Sequence, residues 1–203
     1  MLRMDSIKGV IETIDSGPIA PLLPSLAWNT TTLLSAEPGC GKSTLSLQLA
    51  CFLSLKYRVC FASLEMHRTI AKGIYDRIQC PSDMLYVSEE NDIDALLSEV
   101  DNMQVLVIDS LQKVTTKRPI AKQLSEYGMD RLCQWAHDKK RVCWVISQLN
   151  KDGQYAGTRG IEHAVDAAIS LTKEKASLTK CRWHNIATID YALTDKGATF
   201  ING

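Results

Sequence analysis

Residues 36 to 43 read AEPGCGKS, with Thr44 next. Gly39 and Gly41 permit a backbone that turns its N–H groups inward, a ring of donors for phosphate oxygens. Lys42 adds a positive charge within reach of β- and γ-phosphates, and Ser43 offers a hydroxyl to Mg²⁺. Glu37, Pro38, Gly39, Cys40, Gly41, Lys42, Ser43 and Thr44 are therefore the candidate nucleotide-binding residues, with ATP and Mg²⁺ as the implied ligands. Ala36 stands where a phosphate loop usually has glycine, which is harmless if φ there is negative. The plainer alternative is a glycine turn before a helix with an incidental lysine. A strand before and an amphipathic helix after are the context that a phosphate loop requires, and both are expected here.

A phosphate cradle needs a second metal partner. Asp109 ends the apolar run QVLVIDS (104–110), and a lone acid there is awkward unless it faces a site. It is assigned to Mg²⁺ through water, beside Ser43; the alternative is a cap on the next turn.

The elements that must carry these groups follow from the hydrophobic pattern. TTTLLSA (30–36) is a β-branched, apolar strand, followed by a helix over 42–55. Strands are expected at 58–65, 84–89, 104–110 and 141–148, with helices near 67–79, 92–101 and 120–139. From residue 165 short strands joined by turns suggest an antiparallel finish. Such alternation gives an α/β fold, a three-layer α/β/α core on a mostly parallel twisted sheet with antiparallel C-terminal strands. Functional residues then belong at the carboxyl ends of the strands. Residues 1–29, with Pro18, Pro21 and Pro24, read as a short helix and an irregular lead-in; residues 30–203 form the main domain.

Bulk composition sets limits. The chain has 203 residues, 45% of them hydrophobic, and a formal net charge of zero, so any basic surface is local. Seven scattered cysteines without a Cys-x-x-Cys pair favour reduced thiols over disulfides or zinc. No apolar run reaches the roughly 18 residues of a membrane span, and acids in the first 15 residues argue against a signal peptide. A cytoplasmic protein with no membrane partner is expected.

Six segments in order carry a family resemblance. EPGCGKSTLSLQLA and AGTRGIEHAVDAAISL resemble the RadA/Sms recombination ATPases; FASLEM resembles the DnaB-type helicases; VIDSLQ and ISQLNKDG match both, and KCRW resembles the Lys-x-Arg of ring helicases and of RadA. The chain thus resembles the RecA-like ATPase core over about residues 28–193. The resemblance implies a general base at Glu65, on a strand beside the cradle strand, and a γ-phosphate sensor at Gln148. On residue chemistry alone Glu65 is equally well a helix N-terminal acid, and Gln148 a polar strand end. Lys180 and Arg182 alternate on a predicted strand and share one face, either as a solvated basic edge or, as the relatives imply, as a finger reaching a neighbour's γ-phosphate. Arg182 is the better finger and Lys180 the helper.

The stretch after Asp109 holds Lys113, Lys117, Arg118 and Lys122 with no acid among them, and the 150–160 stretch holds Lys151, Arg159 and Tyr155. They are either solvated loops or, by the resemblance, the two loops that contact single-stranded DNA through its phosphates. A core-only recombinase or helicase of phage or plasmid type is expected, without the zinc finger, Lon-like domain and collar of the larger relatives. It is expected as a hexameric ring or a filament, working beside a single-strand-binding or annealing protein. Two rival readings are a KaiC-like regulatory ATPase acting on a protein and an RNA-translocating viral packaging motor.

Overall fold

The computed structural model describes residues 11–121, 123–148 and 160–201. In chain order the strands are β1 (Thr13–Asp15), β2 (Ser25–Ala27), β3 (Thr30–Ala36), β4 (Val59–Ser63), β5 (Leu85–Ser88), β6 (Val105–Asp109), β7 (Val142–Gln148), β8 (Ala167–Leu171), β9 (Lys175–Cys181), β10 (Ala187–Thr194) and β11 (Gly197–Ile201). The helices are α1 (Lys42–Ser54), α2 (Arg68–Ile78), α3 (Ile93–Glu99), α4 (Leu124–Asp138) and α5 (Gly160–Ala164). Among the described residues, β3 to β11 make one sheet in the order β11-β10-β9-β8-β3-β7-β6-β4-β5. Strands β8, β3, β7, β6, β4 and β5 run parallel; β9, β10 and β11 add on antiparallel at one edge.

The central strands are apolar throughout because both faces are covered. Alternate residues feed two cores: Leu34, Val105, Val107, Trp144 and Ile146 point to one, Leu33, Leu106, Ile108, Cys143 and Val145 to the other. The first core is closed by α1 and the 11–29 segment, the second by α3 and α4. Trp144 places its indole in the first core and donates from Nε1 to Ser46 Oγ at 2.8 Å, which ties α1 to β7.

Helix α1 departs from the amphipathic helix expected. Leu45, Leu47, Leu49, Ala50 and Leu53 are buried on several sides, and so are Thr44, Ser46 and Ser54. The β10–β11 hairpin supplies part of that cover, since Ala198 N donates to Gln48 Oε1 at 2.8 Å. The lead-in is also more ordered than its prolines suggest. β1 and β2 form a two-stranded antiparallel ribbon, and Ile19, Leu22, Leu23 and Leu26 between and within them are buried in the first core. A Cβ on Gly17 would lie 2.3 Å from the Phe52 ring, so the close approach of this segment to α1 requires glycine there.

The C-terminal strands are antiparallel as expected, except that β8 first runs parallel to β3. No helix among the described residues is long and apolar enough to cross a membrane.

Candidate active site

Strand β3 ends at Ala36, and α1 begins six residues later at Lys42. Ala36 is not among the residues with positive φ, so the missing glycine costs nothing. Gly39 and Gly41 have φ of +83° and +79°, the left-handed region that turns backbone N–H groups inward. Gly41 is doubly constrained, because a Cβ there would sit 2.7 Å from Tyr191 Oη. The α1 N-terminus has no side-chain cap, so its first amides are left for an anion. Lys42 is buried beside them.

The cradle is braced from behind by a residue that sequence reading missed. Tyr191 on β10 donates from Oη to the Cys40 carbonyl at 3.0 Å. Burial, then the Cys40 thiol, push this phenol up to about 12, so it stays a donor. The signal was out of reach in sequence, since Tyr191 and Cys40 are 151 residues apart.

Asp109 ends β6 with its side chain fully buried. Neither carboxylate oxygen has a hydrogen-bond partner among the described residues. Burial raises the carboxyl to about 6, Glu65 adds to the rise, and Ser43 and Lys42 oppose it. An unpartnered buried carboxylate next to a serine hydroxyl and a phosphate cradle is costly by itself and is satisfied by a divalent cation. Ser43 and Asp109 therefore fit Mg²⁺.

Glu65 lies just past β4, exposed. The expected neighbourhood of its strand needs correcting: β4 is not beside β3, because β7 and β6 lie between them. Glu65 reaches the site by the local backbone. The N–H groups of Leu64 and Glu65 both donate to the Asp109 carbonyl, at 2.7 and 2.9 Å, which hooks the end of β4 onto the end of β6. Gln148, in register with Ala36 across β3 and β7, donates from Nε2 to Glu65 Oε1. One amide at the end of β7, the strand beside the cradle strand, thus reaches the carboxylate that follows β4, two strands further on.

Gln112 is a second residue that sequence reading missed. From the turn after Asp109 it donates to Ser147 Oγ at 2.7 Å and accepts from Gln148 N at 3.3 Å. It holds the ends of β6 and β7 together beneath the Glu65–Gln148 contact.

Lys180 and Arg182 are placed elsewhere. Lys180 is on β9, and Arg182 follows that strand's last residue. β9 meets β8 with Cys181 opposite Ala167, and Ala167 is opposite Thr32, low on β3. The cradle end of β8 is Leu171, four residues away, or about 13 Å at ~3.3 Å per residue. Arg182 therefore lies at the other end of the sheet from its own cradle, beyond the reach of an arginine side chain. Both cations face the α5–β8 junction. Lys180 Nζ donates to the Glu162 and His163 carbonyls at 2.9 and 3.1 Å, and Arg182 Nε meets Asp166 Oδ1 at 3.0 Å.

The expected basic loop is less free than its sequence suggests. Acids absent from the loop come from α3 and its cap: Arg118 Nε pairs with Asp94 Oδ2 at 3.0 Å, and Lys117 N donates to Asp92 Oδ2 at 2.8 Å. Asp94 also holds Arg131 of α4. Lys113 and Lys117 are exposed near the carboxyl end of β6. Lys122, Lys151, Arg159 and Tyr155 lie outside the described residues.

Residues 32–150 match the model of the ATPase family associated with various cellular activities (AAA). The chain belongs to this AAA family of ATPases. As an AAA ATPase it hydrolyses ATP, and its fold is that of the RecA-like helicase ATPases. The chain is 29% identical over 150 residues to the DNA repair protein RadA of Streptococcus pyogenes, covering 70% of this chain and 33% of that protein. It is 28% identical over 182 residues to RadA of Haemophilus influenzae, covering 86% and 38%. It spans about a third of the length of these curated relatives. Among solved structures, an ATPase domain superposes with a TM-score of 0.75 at 15% identity, covering 98% of this chain and 94% of that one.

Proposed function

We propose that this ATPase is a RecA-like motor that acts on single-stranded DNA in replication or recombination, and that its active site is completed by a neighbouring subunit. The observation that carries the reading is the division of the groups. Lys42, Ser43, Asp109, Glu65 and Gln148 converge at one end of the sheet, and Arg182 is held at the other. A complete site then needs a second copy.

In this reading the backbone of residues 37–44 and Lys42 hold the phosphates, and Ser43 and Asp109 hold Mg²⁺. The metal, when bound, neutralises charge that develops between the β- and γ-phosphates. Glu65 orients the attacking water and takes its proton. Gln148 donates to Glu65 in the resting state and fixes that carboxylate; a γ-phosphate competes for the same amide, which couples occupancy to the segment after β7. Arg182 reaches the neighbour's nucleotide and stabilises the charge there, a contribution of ~10³–10⁵ in rate in such enzymes.

The name of the relatives, DNA repair protein RadA, supports DNA as the substrate, and exposed Lys113 and Lys117 near the carboxyl end of the sheet suit phosphate contacts. The test is the ATPase rate at fixed salt, alone and with single-stranded DNA, duplex DNA and RNA. Stimulation by single-stranded DNA above the others is expected. Equal rates under all four conditions would refute the DNA reading and favour a regulatory ATPase with a protein partner, to which the Arg118–Asp94 pairing is better suited.

A further inference from the structure

We infer that Asp166 is a positioning residue that fixes Arg182 through Nε and leaves the terminal nitrogens for a neighbouring subunit's nucleotide. The inference rests on the trans reading of Arg182 above.

Asp166 sits between α5 and β8 and is itself immobilised on β3. Its backbone N–H donates to the Thr31 carbonyl at 2.9 Å, and its Oδ2 accepts from Thr31 N at 3.0 Å. This reciprocal pair anchors the carboxylate to a central strand of the sheet. The carboxylate is only 13% exposed, and the arginine side chain is 61% exposed. The arginine therefore follows the aspartate, and not the reverse. His137 Nε2, from α4, is 3.6 Å from Oδ2, on the oxygen that serves Thr31. Oδ1 is left for Arg182 Nε, at 3.0 Å.

The chemistry of guanidinium makes this division useful. Its five N–H groups form a planar fork, and the two terminal nitrogens suit bidentate contact with phosphate. The shortest approach of Arg182 to Asp166 is through Nε, and among the described residues neither terminal nitrogen of Arg182 donates a hydrogen bond. An ion pair through Nε orients the plane and spares that outer edge. Ordering the side chain in advance removes a cost that is otherwise met when the neighbour docks. Lys180 cannot take this part, because its ammonium is engaged by the last carbonyls of α5. Of the two cations on this face, one secures the fold and one is presented outward.

The test is a double-mutant cycle on steady-state ATPase in the assembled protein. Asp166→Asn keeps an oxygen for Thr31 N–H and removes the charge that orients Arg182. We expect kcat to fall roughly 10²-fold, as for a misplaced group, with KM for ATP changed by no more than about threefold. In an Arg182→Ala background the same change should cost nothing further, because there is no finger left to position. Asp166→Glu should recover part of the turnover. An equal fall of kcat in both backgrounds would overturn the inference, since Asp166 would then act through the fold. If Arg182→Ala loses turnover but Asp166→Asn does not, the inference falls and the trans reading stands. If Arg182→Ala alone keeps the parent rate, both fall. Should Asp166→Asn not fold, Arg182→Lys decides: an ammonium engaged by Asp166 has no outer edge, so its rate should match Arg182→Ala, and parent turnover would overturn the inference.

Discussion

Lys42 and Glu65 differ in what their loss removes. Lys42→Ala strips positive charge from a buried position in the cradle and should abolish or strongly weaken nucleotide binding. Glu65→Gln keeps the shape and removes the proposed base, so ATP should bind as before while turnover drops roughly 10²–10⁴-fold. Nucleotide titration beside a single-turnover assay separates the two, and normal hydrolysis by Glu65→Gln would move the base elsewhere. Asp109 makes a prediction about pH. Burial lifts its carboxyl from 3.8 to about 6, so the metal-free folded protein holds a proton that the unfolded chain has released. That stabilisation is complete below about pH 4 and is lost as pH rises through about 6, a change of about 3 kcal/mol. Denaturant unfolding in chelator, for the parent protein against Asp109→Asn, should show a stability difference that varies across this window; a constant difference would contradict the assignment. The residues legible in the sequence were those whose spacing is local. Gly39, Gly41, Lys42 and Ser43 announce themselves within one short run. Tyr191, Gln112 and Asp166 did not, because each works on a partner brought close only by the sheet.

At the scale of elements, the strand and helix pattern was legible because a parallel sheet covered on both faces needs continuous apolar strands. β3 has the bounds read from its sequence. The error over α1 has a simple cause: cover by the lead-in and the β10–β11 hairpin cannot be seen in a local window. The position of β4 was misjudged because strand order is a property of crossovers, not of strand sequences. The hairpin's role is testable through Tyr191→Phe, which leaves the ring and removes the bond to the Cys40 carbonyl. We expect a loss of about 0.5–1.5 kcal/mol in stability and weaker ATP binding. Calorimetric titration with a non-hydrolysed ATP analogue measures the second effect; unchanged affinity would mean that the cradle holds its shape without the brace. The loop after β6 is testable through charge. Replacing Lys113 and Lys117 by alanine should lower the log–log salt slope of single-stranded DNA binding by ~0.7 for each phosphate no longer neutralised. An unchanged slope would make this loop a solvated face, as its ties to Asp92 and Asp94 allow.

At the scale of the molecule, the proposed function makes the sheet the separator of two half-sites. Lys42, Ser43, Asp109 and Glu65 lie at one end, and Arg182, the proposed finger, lies at the other, with Asp166 anchored on the same central strand that leads into the cradle. In the proposed assembly, two copies arranged head to tail would bring the halves together, and repetition of that contact would give a ring if the rotation closes and a filament if it does not. The most direct measurement uses two inactive proteins, Lys42→Ala with an intact finger and Arg182→Ala with an intact cradle. Mixed under conditions where energy transfer between labelled subunits demonstrates exchange, they create interfaces that pair an intact cradle with an intact finger. The account predicts ATPase activity well above the sum of the two parents. With exchange demonstrated, activity no greater than that sum would contradict it.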